Sequence, residues 1–250
     1  MNQLAIVICT SNSYADFINI FLYFFRKNFK TNIEVKLYVV GITKHIQIEG
    51  IVCLPSSLDE NASWSNRVID GLSQISEKNI LLLTEDILFT KSNKNISFDE
   101  IFDLFISNEF DYLRLSPFPA PTKKLTKLYG EVSPYIIHRV SMQPSLWKYE
   151  FLMSIIKKNE SIWEFEVKGS RRSRISNKIM ALNSYFIPYE EVISRGKITR
   201  KGYNLLKSEN LHNQINFELH TYNKIFVRKL YYFLVMIIGK MNIFRKYIGV

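Results

Sequence analysis

Apolar and polar positions alternate along this chain in blocks, and the blocks come in two kinds. Leu4-Ala-Ile-Val-Ile-Cys-Thr10 and Ile80-Leu-Leu-Leu83 are unbroken apolar runs of strand length, as expected for strands buried on both faces. Val35-Lys-Leu-Tyr-Val-Val40 and Ile51-Val-Cys-Leu54, the latter stopped by Pro55, are two more. Between them, Phe17 to Phe29 is a helix-length apolar stretch. Ala62 to Ser76 carries Val68, Ile69, Leu72 and Ile75 on one helical face, with Arg67, Asp70, Gln74 and Glu77 away from it. Strands alternating with helices over the first ninety or so residues predict a doubly wound, mostly parallel α/β sheet with helices on both faces.

The second half is more mixed. Ser97-Phe-Asp-Glu100 is a capping box opening a helix to about Ser107. Tyr112-Leu-Arg-Leu115 and Tyr135 to Ser141 read as strands, with a Pro- and Lys-rich loop over Pro117 to Lys127. Pro144 sits where a first helical residue would, starting a helix to about Lys158. Helices are expected over Gly196 to Leu211 and Phe217 to about Gly239. With no internal repeat or linker, the reading is one domain over residues 1–212 and a basic, apolar helical tail over 213–250.

Bulk properties narrow the function. The 250 residues are 47% hydrophobic, ample for a large core. The net charge of +10 points to anionic partners, namely nucleotide phosphates, nucleic acid or an anionic membrane face. Cys9 and Cys53 lie in apolar runs and, without a signal peptide, read as reduced core thiols of a cytoplasmic protein. No apolar run reaches the roughly 20 residues that span a bilayer. Dinucleotide and P-loop glycine fingerprints, a nucleophile elbow and zinc-spaced His/Cys sets are all missing. His138, alone in an apolar run, reads as structural. If the chain is an enzyme, carboxylates do its work.

Three clusters remain. Glu85-Asp86 ends the run Ile80–Leu83, where parallel sheets place their ligands, and such acids either hold Mg²⁺ or Mn²⁺ or are turn residues. Asn61-Ala-Ser-Trp-Ser-Asn-Arg67 opens a helix whose N-terminus can receive a phosphate, with Ser63 or Ser65 as ordinary caps. Gln143-Pro-Ser-Leu-Trp147, Glu160-Ser-Ile-Trp-Glu-Phe-Glu166 and Arg171-Arg-Ser-Arg174 bring a Trp platform, two carboxylates and a basic run. Glu164 and Glu166 there are either general-base candidates or the water-facing side of an amphipathic strand.

In this order along the chain, these residues resemble a GT-A-type glycosyltransferase of bacterial surface-polysaccharide (capsule or O-antigen) synthesis, over about residues 4–212. The resemblance implies a nucleotide-binding half over about 1–90 and an acceptor half over about 91–212. It places Thr10 and Ser11 against the nucleotide base, Arg67 near the nucleotide, Asp86 as ligand of a divalent cation (Mn²⁺ or Mg²⁺) with Glu85 in support, and Glu164 or Glu166 as base. The family's metal motif is usually Asp-x-Asp; Thr84-Glu85-Asp86 keeps only its last acid. The implied reaction moves a sugar from a nucleotide-diphosphate sugar to a hydroxyl of a glycan or lipid-linked glycan, with inversion expected.

 Direct displacement at the anomeric carbon would invert its configuration, with a carboxylate taking the acceptor's proton. The expected setting is cytoplasmic, or peripheral on the inner face of the plasma membrane, with the tail on an anionic membrane surface or in a homodimer. Two other readings fit less of the sequence. A sugar-nucleotide pyrophosphorylase would carry a Gly-rich basic loop where Cys9-Thr-Ser-Asn-Ser-Tyr14 stands. A nucleic-acid-binding protein would stripe its basic residues, which are scattered here, so no nucleic acid is expected.

Overall fold

The computed structural model describes residues 4–93, 95–215 and 217–219. The chain opens with β1 (Leu4–Cys9), α1 (Ile18–Asn28), β2 (Val35–Val40), β3 (Ile51–Cys53), α2 (Trp64–Leu72) and β4 (Asn79–Thr84). β1 pairs in parallel with both β2 and β4, and β3 extends the sheet beyond β2. Strand geometry explains the unbroken apolar runs. Leu4, Ile6 and Ile8 enter one core with α1, while Ala5, Val7 and Cys9 enter another with α2. Leu81 and Leu83 likewise face the first core, and Ile80 and Leu82 the second.

Past β4 come β5 (Ile87–Phe89), α3 (Phe98–Ser107), β6 (Tyr112–Arg114), β7 (Lys123–Lys124), β8 (Tyr129–Glu131), β9 (Ser145–Lys148) and α4 (Tyr149–Ile155). The Ser97–Glu100 capping box forms in full at the start of α3. A helical stretch follows: α5 (Ile162–Glu164), a π-helical turn (Phe165–Gly169) and α6 (Ser170–Arg172). The chain ends with β10 (Ile179–Leu182), β11 (Tyr189–Glu191), β12 (Ile193–Ser194), β13 (Lys197–Ile198) and α7 (Arg200–Ser208). The central sheet has the order β3-β2-β1-β4-β9-β6-β10-β8-β7, and β9 and β8 run against their neighbours. The fold is a mixed, largely parallel α/β sheet with helices on both faces, as expected.

Several expected elements differ. The segment 135–141 forms turns rather than a strand, because His138 takes a left-handed backbone conformation (φ 60°) that breaks extension. Pro144 does not start a helix. Ser145–Lys148 is a strand between β4 and β6, with Leu146 and Trp147 buried in opposite cores, and the helix waits until Tyr149. The alternation around Trp163 is helical, so Phe165 is buried while Trp163 is 69% exposed. Arg195 and Gly196, both at positive φ, make the turn between β12 and β13, so α7 starts only at Arg200. Most of the expected 217–239 helix lies outside the described residues; Leu219 bridges to Ile198. Cys9 is buried and Cys53 half-buried, both as free thiols. Among the described residues, no helix is long and apolar enough to cross a membrane.

Candidate active site

The carboxyl ends of β1, β2 and β4 meet at one sheet edge, and their loops are tied together there. The Thr10 amide donates to the Val40 carbonyl (3.1 Å), carrying the β1–β2 pairing one residue past the strands. Asn12 Nδ2 donates to Thr43 Oγ1 (2.8 Å) and to Glu60 Oε2 (3.1 Å), and its Oδ1 accepts from the Thr43 amide (2.9 Å). Loops after β1, β2 and β3 are thereby joined by one side chain. Arg67, in the first turn of α2, donates to three carbonyls: Gly41 (2.9 Å), Glu60 (2.8 Å) and Ala62. Arg67 therefore holds the loops at this edge with three of its five N–H donors. Ser63 caps α2 through the Asn66 amide (3.2 Å).

Glu85 and Asp86 stand at the same edge in different surroundings. Glu85 is buried, and burial first and the Asp86 charge second push its carboxyl well above the ordinary range, against a hydrogen bond from the Thr10 side chain. Its carboxyl is thus held toward the protonated form. Asp86 is half-buried, and its carbonyl accepts from the Val192 amide (2.9 Å), which brings β11 and β12 against the site. Tyr14 feels both acids: burial and their charges raise its hydroxyl. Its ring stacks on Phe217 (5.6 Å between centroids). Among the described residues, no three metal-ligating side chains gather at one point. Mg²⁺-type ions in nucleotide sites are commonly held by one or two carboxylates plus phosphate oxygens, and Asp86 fits that donor set.

The second part of the site follows from register. Ser145 pairs with Leu82 of β4 and Arg114 of β6, so Met142 and Gln143 lie just beyond the edge that carries Asp86. Glu166 reaches this point from the π-helical turn. Its Oε1 accepts from the Met142 amide (2.9 Å), and its Oε2 lies 3.4 Å from His138 Nδ1. Glu164 faces the other way. It accepts from the Ser161 amide (2.9 Å) and hydroxyl (3.0 Å) in a capping box and pairs with Lys168 (2.8 Å). Lys168 and then Ser161 hold its carboxyl down at about 2. Gln143 Oε1 accepts from Ser116 Oγ and from Tyr189 Oη (3.1 Å), linking this edge to β11.

Two fully buried arginines shape the loop that presents His138 and Met142. Arg114 donates to the carbonyls of Ser116, Pro119, His138 and Arg139. Arg139 donates to those of Val132 (3.0 Å), Ser173 (2.6 Å) and Ser176 (2.9 Å), and burial lowers its guanidinium to about 10. Desolvating a guanidinium costs several kcal/mol, so both depend on these carbonyls. Neither drew notice in the sequence; the available signal was an Arg inside the apolar run Tyr112–Leu115. The basic run is also engaged: Arg172 grips buried Glu160 through Nη1 and Nη2 (2.8 and 2.6 Å), and Arg174 donates to the Pro134 carbonyl (3.0 Å).

No family model matches the sequence, and neither does any curated protein. Solved structures do match its fold. The S. aureus TarS structure aligns over 96% of this chain and 44% of its own, with TM-score 0.53 and 14% identity. TarS 1-349 aligns over 95% of this chain and 71% of its own, with TM-score 0.54 and 13% identity. The same fragment in complex with UDP aligns over 94% and 69%, with TM-score 0.52 and 14% identity. The chain thus spans less than half of the first of these. What it shares with them is a GT-A-like fold.

Proposed function

We propose that this chain is a nucleotide-sugar glycosyltransferase acting on a glycan or lipid-linked glycan of a bacterial surface polysaccharide. The observation that carries the reading is the single sheet edge that brings Thr10, Glu85 and Asp86 to one side of Met142 and Glu166. The GT-A-like fold, shared with a chain bound to UDP, supports it. In this reading Thr10 and Ser11 face the base of the donor, and Arg67 fixes the loops around it. Asp86 would hold a divalent cation, which when bound neutralises diphosphate charge.

Glu166 is the preferred base. A carboxylate held down at about 2 and occupied by Lys168 and Ser161 is a poor proton acceptor, which argues against Glu164. Glu166 takes the proton of the acceptor hydroxyl while that oxygen bonds to the anomeric carbon. The bond from this carbon to the diphosphate breaks, its electron pair leaves with the nucleoside diphosphate, and the configuration inverts.

The test is a thermal-shift panel of nucleoside diphosphates and nucleotide sugars with and without Mn²⁺, on wild type and Asp86→Ala. A ligand at 100-fold its Kd should add about 2.7 kcal/mol of stability. A shift that needs both Mn²⁺ and Asp86 is the expected result, and no shift with any nucleotide would overturn the reading. With the donor so found, turnover measured as nucleoside diphosphate release should fall at least 100-fold in Glu166→Gln and within threefold in Glu164→Gln, following the usual worth of a general base. The reverse order would move the base to Glu164.

A further inference from the structure

The positive charge of this chain is unevenly placed. Between Asp111 and Glu150 the sole acidic residue is Glu131, and between Glu166 and Glu190 there is none. These segments build the β6–β10–β8–β7 side of the sheet. At its margin, β7 presents Lys123 and Lys124, both exposed, and the turn to β8 presents exposed Lys127. Lysines on an edge strand discourage pairing with another chain, which accounts for Lys123 and Lys124 alone. It does not account for the apolar side chains beside them. Leu125 is 44% exposed, Phe118 46% and Tyr185 39%.

These residues lie at one end of the sheet. Phe118 and Tyr185 are in ring contact (6.0 Å between centroids). Asn183, two residues before Tyr185, donates through Nδ2 to the Thr126 (2.9 Å) and Lys127 (3.1 Å) carbonyls and so fixes the turn beside it. Register sets its direction. Tyr129 pairs with Leu182 at the carboxyl end of β10, which runs parallel to β6, so the turn emerges at the sheet edge that carries Asp86 and Glu166.

We propose that this patch docks the protein on an anionic membrane surface. A leucine and two aromatic rings enter the headgroup boundary, and Lys123, Lys124 and Lys127 meet lipid phosphates. Charge complementarity favours a bilayer over an apolar protein partner, since Lys123, Lys124 and Lys127 all lie within two residues of exposed Leu125 and the nearest acid in sequence, Glu131, stands opposite Lys123 in the strand register. Leu125 has no stacking face, which argues against a platform for sugars alone.

The experiment uses the full chain and sedimentation with vesicles of phosphatidylcholine alone or with 30 mol% phosphatidylglycerol, compositions chosen to vary only charge. Wild type should bind the anionic vesicles, and more weakly as salt rises. The triple variant Lys123→Glu, Lys124→Glu, Lys127→Glu should bind at least roughly 100-fold more weakly, at about fivefold per lysine removed. Leu125→Asp should weaken it further. A control with the same charge change elsewhere, Lys30→Glu, Lys157→Glu, Lys158→Glu, should lose much less. Equal loss in both triple variants would reduce the effect to net charge and overturn the proposal. So would wild-type binding in the patch variant, or no binding by wild type with retention on dextran sulfate, which would make the patch a site for an anionic glycan.

Discussion

Gly41 tests how the edge of β2 holds the candidate donor loop. Its φ of +88° is a conformation that glycine adopts freely and alanine does not, at about 1–2 kcal/mol for the substitution. A Cβ there would also lie 2.5 Å from the Thr10 carbonyl oxygen and 3.4 Å from Val68 Cγ2. The first contact is with backbone, so one of the two backbone segments must move. Two bonds resist: the Thr10 amide to Val40 (3.1 Å) and Arg67 Nε to Gly41 itself (2.9 Å). Relieving an overpacked contact of this kind adds about 1–3 kcal/mol. Gly41→Ala should therefore lose about 2–5 kcal/mol in urea denaturation, where tryptophan fluorescence gives the midpoint. Gly50→Ala is the internal comparison. Gly50 also has a positive φ (+74°), but its added Cβ would meet only Arg26 Nη2 at 3.5 Å. It should cost only the conformational part, about 1–2 kcal/mol. Equal losses in the two variants, or a loss below about 0.5 kcal/mol in Gly41→Ala, would refute the claim that the Thr10 contact is tight.

Two further outcomes follow from buried polar groups. Glu160→Ala leaves the Arg172 guanidinium without its carboxylate near the start of α5, and chemical denaturation should show about 2–4 kcal/mol lost, somewhat under the usual cost because Arg172 is partly exposed. Glu160→Gln, which keeps the shape, should lose less. Asp70 is subject to burial, which would raise it, but the Ser57 amide (2.7 Å) and the hydroxyls of Ser56 (2.9 Å) and Ser57 (3.1 Å) outweigh this and lower its pKa below 3.8. Its unfolded state then binds protons more readily than the folded one, so its contribution is present above that value and lost as pH falls through the folded pKa. Melting curves of wild type and Asp70→Asn should differ at pH 7 and converge as pH falls below the ordinary aspartate range; a constant gap would show that the carboxylate's charge plays no part.

How much of this was legible in the chain depends on distance along it. β1, β4 and α2 followed from runs and periodicity, and the α3 cap from Ser97 and Glu100, because each signal lies within one element. Ser145–Lys148 was unreadable as a strand, since Ser-Leu-Trp-Lys after a proline fits a helix start equally well and only the gap between β4 and β6 decides. The Glu164–Glu166 pair shows the same limit. Sequence placed both acids at one candidate position; the fold turned one toward Lys168, four residues away, and the other toward Met142, 24 residues away.

Local spacing determined that acids would stand at a strand end and beside Trp163. It could not determine which acid faces which neighbour, nor that Arg114 and Arg139 would be buried to hold the loop between them. Those outcomes depend on strand register and on the left-handed turn at His138, where contacts between segments far apart in sequence outweigh local preference. The sequence alone supplied the alternation of strands and helices over the first ninety or so residues. Tertiary structure chose the neighbours of each polar group, because an ionised side chain's environment is set by what packs against it rather than by what precedes it.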